Sequence, residues 1–317
     1  MNVLFTGNIY GKVRLELYYT EELKKYVNLF TFDTRKILKI DRGYNWNHLM
    51  SDLSSITRSK KYDTYYRTLI DFCKNNDVKY YIWWNDKNVA PELLYELQKL
   101  GVRTIGVCSD DHAGTDYYKH WVGVFDLYLT TDPGKAKKFD KAEFFNPCCV
   151  LPYIKKLDVP KDIDVLFYGS LYPNRVKVLE YLKKELKKDG IDITVYSSAY
   201  NNEVFREGLN RLINRAKVTV HVNHPDVRIA TLRFFEVLGS DNLLATDYYP
   251  EEIYSYQDIL SGKYFGKENL LNFIRDAFEV RLWEARDGQR EFIVKDFTVQ
   301  KRVKEMISKI ERRFKND

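Results

Sequence analysis

No apolar run in the 317 residues approaches the roughly 18 to 20 residues that a membrane-spanning helix needs. The opening stretch, MNVLFTGNIYGK, has neither a basic leader nor a long apolar segment, so no secretory signal is expected. Cysteine is scarce. Of the four, Cys148 and Cys149 are adjacent, Cys73 and Cys108 stand alone, and no C-x-x-C pair occurs. That excludes a disulfide framework and a zinc-finger pattern, and predicts reduced, buried thiols. Neither G-x-x-x-x-G-K-[ST] nor H-E-x-x-H is present, which removes the P-loop and the helical zinc-protease site. Internal repeats and low-complexity tracts are also missing. A cytoplasmic globular protein is expected.

What is present fits that class. Hydrophobic residues make up 44% and charged residues 30%, enough to build cores and a solvated surface. The length suits two domains. The net charge of +6 is spread over both halves, which permits an anionic partner without requiring one.

The apolar pattern alternates strands with amphipathic helices. Strands are predicted at residues 2–6, 27–32, 79–84, 102–107 and 126–130, with helices at 47–54, 62–74 and 91–99. Asn146–Tyr153, with two prolines and no helical period, reads as a linker. The pattern then restarts, with strands at 164–168, 192–196, 217–222 and 242–245 and helices between them. The last 50 residues are nearly all helical. Two Rossmann-like domains follow, 1–150 and 151–317, with closing helices that pack back on the first domain. Open α/β sheets bind ligands beyond their strand C-termini, so functional residues are sought there.

Three stretches stand out. In DVLFYGSLYPNR, a strand ends in Gly169 and Ser170, and Arg175 sits in the first turn of the next helix, where its charge opposes the macrodipole. An anion nearby would account for it, and so would an ordinary solvated turn. In VHVNHPDVRIATLRFFEVLGS, His221 and His224 point to opposite faces of a strand, which disfavours a shared metal ion. Arg233 and Glu236 share one face of a helix that is otherwise apolar, so either an ion pair or a ligand cradle fits. In the first half, Ser109-Asp-Asp-His112 is the densest polar loop, and Asp110 is equally a helix cap. A further stretch, Arg58-Ser-Lys-Lys61 followed by Tyr62, Tyr65 and Tyr66, mixes charge and rings as a nucleic-acid contact does, or is plain surface.

Taken together, Asp164-Val-Leu-Phe-Tyr-Gly-Ser-Leu-Tyr-Pro-Asn-Arg175, Val220-His-Val-Asn-His-Pro225, Leu232-Arg-Phe-Phe-Glu-Val-Leu-Gly239 and Leu243-Leu-Ala-Thr-Asp247 resemble the CgeB-like (spore-maturation type) glycosyltransferases. The resemblance extends over about residues 160–305. It implies an α/β GT-B fold, with two Rossmann-like domains facing a cleft, and a nucleotide-sugar donor, usually a uridine diphosphate (UDP) sugar. It implies donor contacts at Gly169, Ser170, Arg175, Arg233, Glu236 and Asp247, with Glu236 on the ribose and the arginines on the diphosphate; His224, at the end of its strand before Pro225, is placed to meet the same donor. The first domain would hold the acceptor through Gly7, Asn8, Trp84 and Asn85, with one of Trp83 and Trp84 in the core and the other free to stack. His112, Asp111 and Asp110 are the catalytic candidates, a histidine beside carboxylates serving as general base. GT-B enzymes as a class usually do without a bound metal, so no metal and no cofactor beyond the nucleotide sugar is expected. One departure is evident: the family's Phe-Glu-Ala-Leu-Ala-Cys-Gly is here Phe-Glu-Val-Leu-Gly-Ser-Asp241. The acceptor stays open between carbohydrate, protein and a hydroxylated DNA base. The rival outside the enzymes is a non-catalytic nucleotide-sugar-binding protein.

Overall fold

The structure is a computed structural model that describes residues 1–7, 9, 15–33, 60–84, 91–109, 122–223, 229–248, 267–285 and 288–315. The helix predicted at 47–54 lies outside them. Two compact units are present, Met1–Pro147 with Val303–Asp317, and Cys148–Arg302.

In the first unit, β1 (Asn2–Gly7), β2 (Asn28–Asp33), β3 (Tyr80–Trp84), β4 (Arg103–Cys108), β5 (Leu127–Thr130) and β6 (Ala142–Phe144) form a parallel sheet in the order β2-β1-β3-β4-β5-β6. Sequences such as YYIWW lack polar alternation because a parallel sheet is covered on both faces. The helix Lys60–Asn75 sends Tyr65, Leu69 and Cys73 into the core at helical spacing. Its Phe72 meets Phe30 and Phe32 edge-on. At Gly106 a Cβ would stand 2.8 Å from Tyr128 and 3.0 Å from Phe125, so the rings rest directly on the backbone of β4. Arg312 pairs with Glu143, and the Phe314 ring contacts that of Tyr80. Chain order leaves β1 and passes to opposite sides of it, which puts the topological switch between β1 and β3.

In the second unit, β7 (Ile163–Tyr168), β8 (Ile193–Tyr196), β9 (Ala216–His221) and β10 (Leu243–Thr246) form a parallel sheet in the order β10-β9-β7-β8. Val165, Val218, Val220, Leu243 and Ala245 build one face of its core against Leu182, Leu186, Leu270 and Ile274. The chain moves from β7 out to β8 and returns to β9 on the other side of β7. The switch therefore falls between β7 and β9, and the loops after these two strands flank it.

At the opposite edge, Lys161 donates to the Ala216 carbonyl (2.9 Å) and to Asn242 Oδ1 (3.3 Å). Burial pushes its pKa down to about 8, with Asp241 opposing the shift and Lys156 adding to it. Below about 8 both folded and unfolded chains hold this proton; between there and the unfolded value of about 10.4 the folded chain holds less of it, so stability rises with pH. We predict that Lys161→Met removes this rise, so that wild type gains up to about 3 kcal/mol on the variant across this window in urea unfolding. A difference that is flat in pH would contradict the assignment.

Candidate functional site

Three neighbouring strands of the second unit end side by side. Strand β7 runs into Gly169 and Ser170, β9 into Val222 and Asn223, and β10 into Asp247. The helix Leu232–Gly239, which links β9 to β10, brings Arg233 and Glu236 to the same edge.

Arg233 occupies the centre. Its guanidinium carbon lies 4.7 Å from the centroid of the Tyr168 ring and 5.6 Å from that of Phe167. The backbone of Gly169 permits this twice over. Its φ of +122° is one that side-chain-bearing residues rarely adopt, and a Cβ there would collide with Nη2 of Arg233 and lie 3.3 Å from Cζ. On another side, Nη1 is 2.7 Å from His221 Nδ1. Burial, then the charges of Arg233 and Arg175, hold the His221 pKa well below the usual value, so the ring is neutral. Arginine can only donate, so Nδ1 accepts, and the proton lies on Nε2, 3.1 Å from Thr231 Oγ1. With both nitrogens engaged, His221 is a positioning side chain and not a metal ligand.

Arg175 joins the two loops at the switch. Its Nε donates to the Val222 carbonyl (2.7 Å) and its Nη1 to the Ser170 carbonyl (3.0 Å), while the guanidinium lies 5.0 Å from the Tyr172 ring centroid. The adjacent Asn174 donates to the Asn223 carbonyl at 2.9 Å. This explains an arginine in the first turn of a helix: loop contacts outweigh the unfavourable dipole, worth a few tenths to about 1 kcal/mol. Burial, then repulsion from Arg233, lowers its pKa to about 10, against the opposing effects of Tyr172 and Asp247. Among the described residues neither arginine is ion-paired to a carboxylate. Arg233 Nε is buried without a hydrogen bond.

The acids of the site take their hydrogen bonds from groups other than the arginines. Glu236 is buried and accepts from Tyr153 Oη (3.1 Å) and Tyr168 Oη (2.9 Å). Burial raises its pKa; the two hydroxyls and Arg233 act against that shift. Asp247 accepts from the Asn223 backbone N–H at 2.8 Å, and burial raises its pKa as well. Asn223 is buried beside His221, yet neither atom of its side-chain amide makes a hydrogen bond of sound geometry. Among the described residues, two cations thus lie near each other with no acid pairing them, next to loop backbone at a switch point, and donors in such an arrangement can take a multiply charged anion.

Of the residues expected to hold a donor, Gly169, Ser170, Arg175, Arg233, Glu236 and Asp247 meet at this edge; His224 lies outside the described residues. In the first unit Gly7 and Trp84 are adjacent at the switch, where a Cβ on Gly7 would lie 3.3 Å from Trp84 Cβ. Asn8, Asn85, Asp110, Asp111 and His112 lie outside the described residues. One expectation needs correction. Neither indole is free to stack on a ligand: Trp83 and Trp84 are both buried, with Trp84 packed against Phe5 and Tyr19. Likewise Tyr65 is buried and Tyr66 packs onto the same core, so these two rings of the basic stretch are structural. Asp241, where the resembled family has glycine, takes φ +60° and is held by Lys156 (2.9 Å) and the Arg290 N–H (3.2 Å). The residues that the sequence did not flag are Tyr153, Tyr168 and Asn223. Tyr168 reads as the apolar end of a strand; Asn223, a polar residue directly after one, was the available signal.

Residues 163–308, a little under half of the chain, match the Glyco_trans_1_2 family model, described as glycosyl transferase-like. No curated protein matches the chain in sequence. Among solved structures, a trehalose-6-phosphate protein from E. coli bound with UDP-2-fluoro glucose is similar over 98% of this chain and 99% of its own, at 12% identity and a TM-score of 0.65. The UDP-GlcNAc 2-epimerase of Neisseria meningitidis, bound to UDP-GlcNAc, is similar over 98% and 100%, at 9% identity and a TM-score of 0.53. The pneumococcal O-GlcNAc transferase GtfA, in complex with UDP and GlcNAc, is similar over 78% of this chain at 12% identity and a TM-score of 0.56; the chain covers 60% of it. The fold is GT-B.

Because Arg233 rests on Gly169, we predict that Gly169→Ala costs about 1 to 3 kcal/mol from the backbone conformation alone, with the displacement of the guanidinium added. Urea unfolding measures it. An unchanged midpoint would mean that the guanidinium does not lie on that backbone.

Proposed function

We propose that the protein is a glycosyltransferase of the spore-maturation type, moving a sugar from a UDP-sugar to an acceptor hydroxyl without a bound metal or other cofactor. The observation that carries this reading is the pair of arginines, Arg175 and Arg233, grouped at the strand ends of the second unit and, among the described residues, without an acidic partner. A diphosphate would supply the missing negative charge. Gly169 would let it approach the backbone, and Glu236 and Asp247 would meet the ribose and the sugar. As the bond between sugar and diphosphate breaks, charge grows on the leaving phosphate. Without a metal, fixed cations and amide groups must stabilise it, and fixed donors do so without reorganising.

The acceptor belongs, in this reading, to the first unit, near Gly7 and Asn85, with His112 beside Asp110 and Asp111 taking the proton from the acceptor hydroxyl. The cytoplasm, where nucleotide sugars are made, is the compartment that fits. The packing of Tyr65 and Tyr66 against the core removes part of the support for a DNA acceptor, so the acceptor class is left general.

The test is unfolding in the presence of a panel of nucleotide sugars. A ligand at a hundred times its Kd adds about 2.7 kcal/mol. We expect one UDP-sugar to do so, Arg233→Met to lose that gain, and His112→Ala to keep it while losing UDP release in the presence of acceptor. A well-folded protein stabilised by no nucleotide would overturn the reading. Turnover unaffected by His112→Ala would overturn the role of that loop.

A further inference from the structure

Arg233 and Glu236 stand three apart on one helix, the spacing at which opposite charges pair. Both are drawn to the same edge, and a guanidinium–carboxylate fork is the strongest contact available to either. Yet no ion pair joins them. Each is attached to Tyr168 instead: the hydroxyl donates to Glu236 Oε2 at 2.9 Å, and the guanidinium lies over the ring at 4.7 Å. Tyr153 takes the other carboxylate oxygen at 3.1 Å. His221, neutral, takes Arg233 Nη1. Among the described residues, every hydrogen bond and ring contact that the two side chains make is thus to an uncharged group.

We infer that Tyr168 is a positioning residue that keeps Arg233 and Glu236 from neutralising each other, so that the guanidinium stays available to the donor's diphosphate. This rests on the reading of the site given above. One side chain does both jobs because tyrosine carries an apolar face with negative charge density and a donor at its tip. Leucine would fill much of the space and do neither. The carboxylate would then lack one of its two donors, and a buried acceptor left unmatched recruits the nearest cation. That cation is Arg233, and a phosphate would then have to break an ion pair to reach it.

The test is calorimetric titration with inorganic pyrophosphate, which has no ribose to engage Glu236, on four proteins: wild type, Tyr168→Leu, Glu236→Gln and the double variant. Tyr168→Leu is expected to weaken binding at least tenfold. Glu236→Gln is expected to strengthen it at least tenfold in the Tyr168→Leu background, because the amide no longer neutralises Arg233, and less than threefold beside Tyr168. An equal effect of Glu236→Gln in both backgrounds, or wild-type affinity in Tyr168→Leu, overturns the inference while leaving the anion site standing. A wild-type protein that binds no pyrophosphate overturns the site and the inference together. Should Tyr168→Leu melt below the assay temperature, Tyr168→Phe carries the same cycle, since it removes the hydroxyl and keeps the ring.

Discussion

The second unit is arranged around one steric fact: the Arg233 guanidinium lies where the side chain of residue 169 would be. A glycine at the end of β7, with φ +122°, lets a charged group settle on the backbone and against the rings of Phe167 and Tyr168. Once the cation is there, its surroundings are constrained. His221 has to be neutral and has to present its lone pair. Glu236 takes its hydrogen bonds from the hydroxyls of Tyr153 and Tyr168. Arg175, whose pKa Arg233 lowers, donates Nε and Nη1 to the carbonyls of Val222 and Ser170.

Those constraints make a cationic centre that, among the described residues, is held by uncharged groups and is not ion-paired. Such a centre is costly in isolation, since a buried charge wants a partner. The cost is consistent with a site whose partner arrives as a ligand. Location supports the same conclusion from a different direction. The order β10-β9-β7-β8 places the topological switch between β7 and β9, and the loops joined by Arg175 are the two that flank it.

Much of this was legible in the residues alone. The alternation of apolar runs and amphipathic helices located both parallel sheets, and Gly169, Arg175, Arg233 and Glu236 were each picked out by a local misfit: a glycine at a strand end, a cation in a first turn, charges on an apolar helix. What the pattern could not carry was partnership. Tyr168 is the last residue of DVLFY, where a tyrosine is read as one more apolar residue, and nothing in the spacing says that its hydroxyl meets a carboxylate 68 residues away. Trp84 misled for the converse reason. Alternation along a strand separates two faces, but a parallel sheet covers both, so neither Trp83 nor Trp84 is left exposed.

The central claim is that Arg175 and Arg233 form a receptor for the diphosphate of a nucleotide. Calorimetric titration with UDP and with uridine, at low and at high salt, tests it most directly. The account predicts measurable UDP binding that weakens with salt, and uridine binding at least a hundredfold weaker. Equal affinity for the two, or binding of neither, would contradict it.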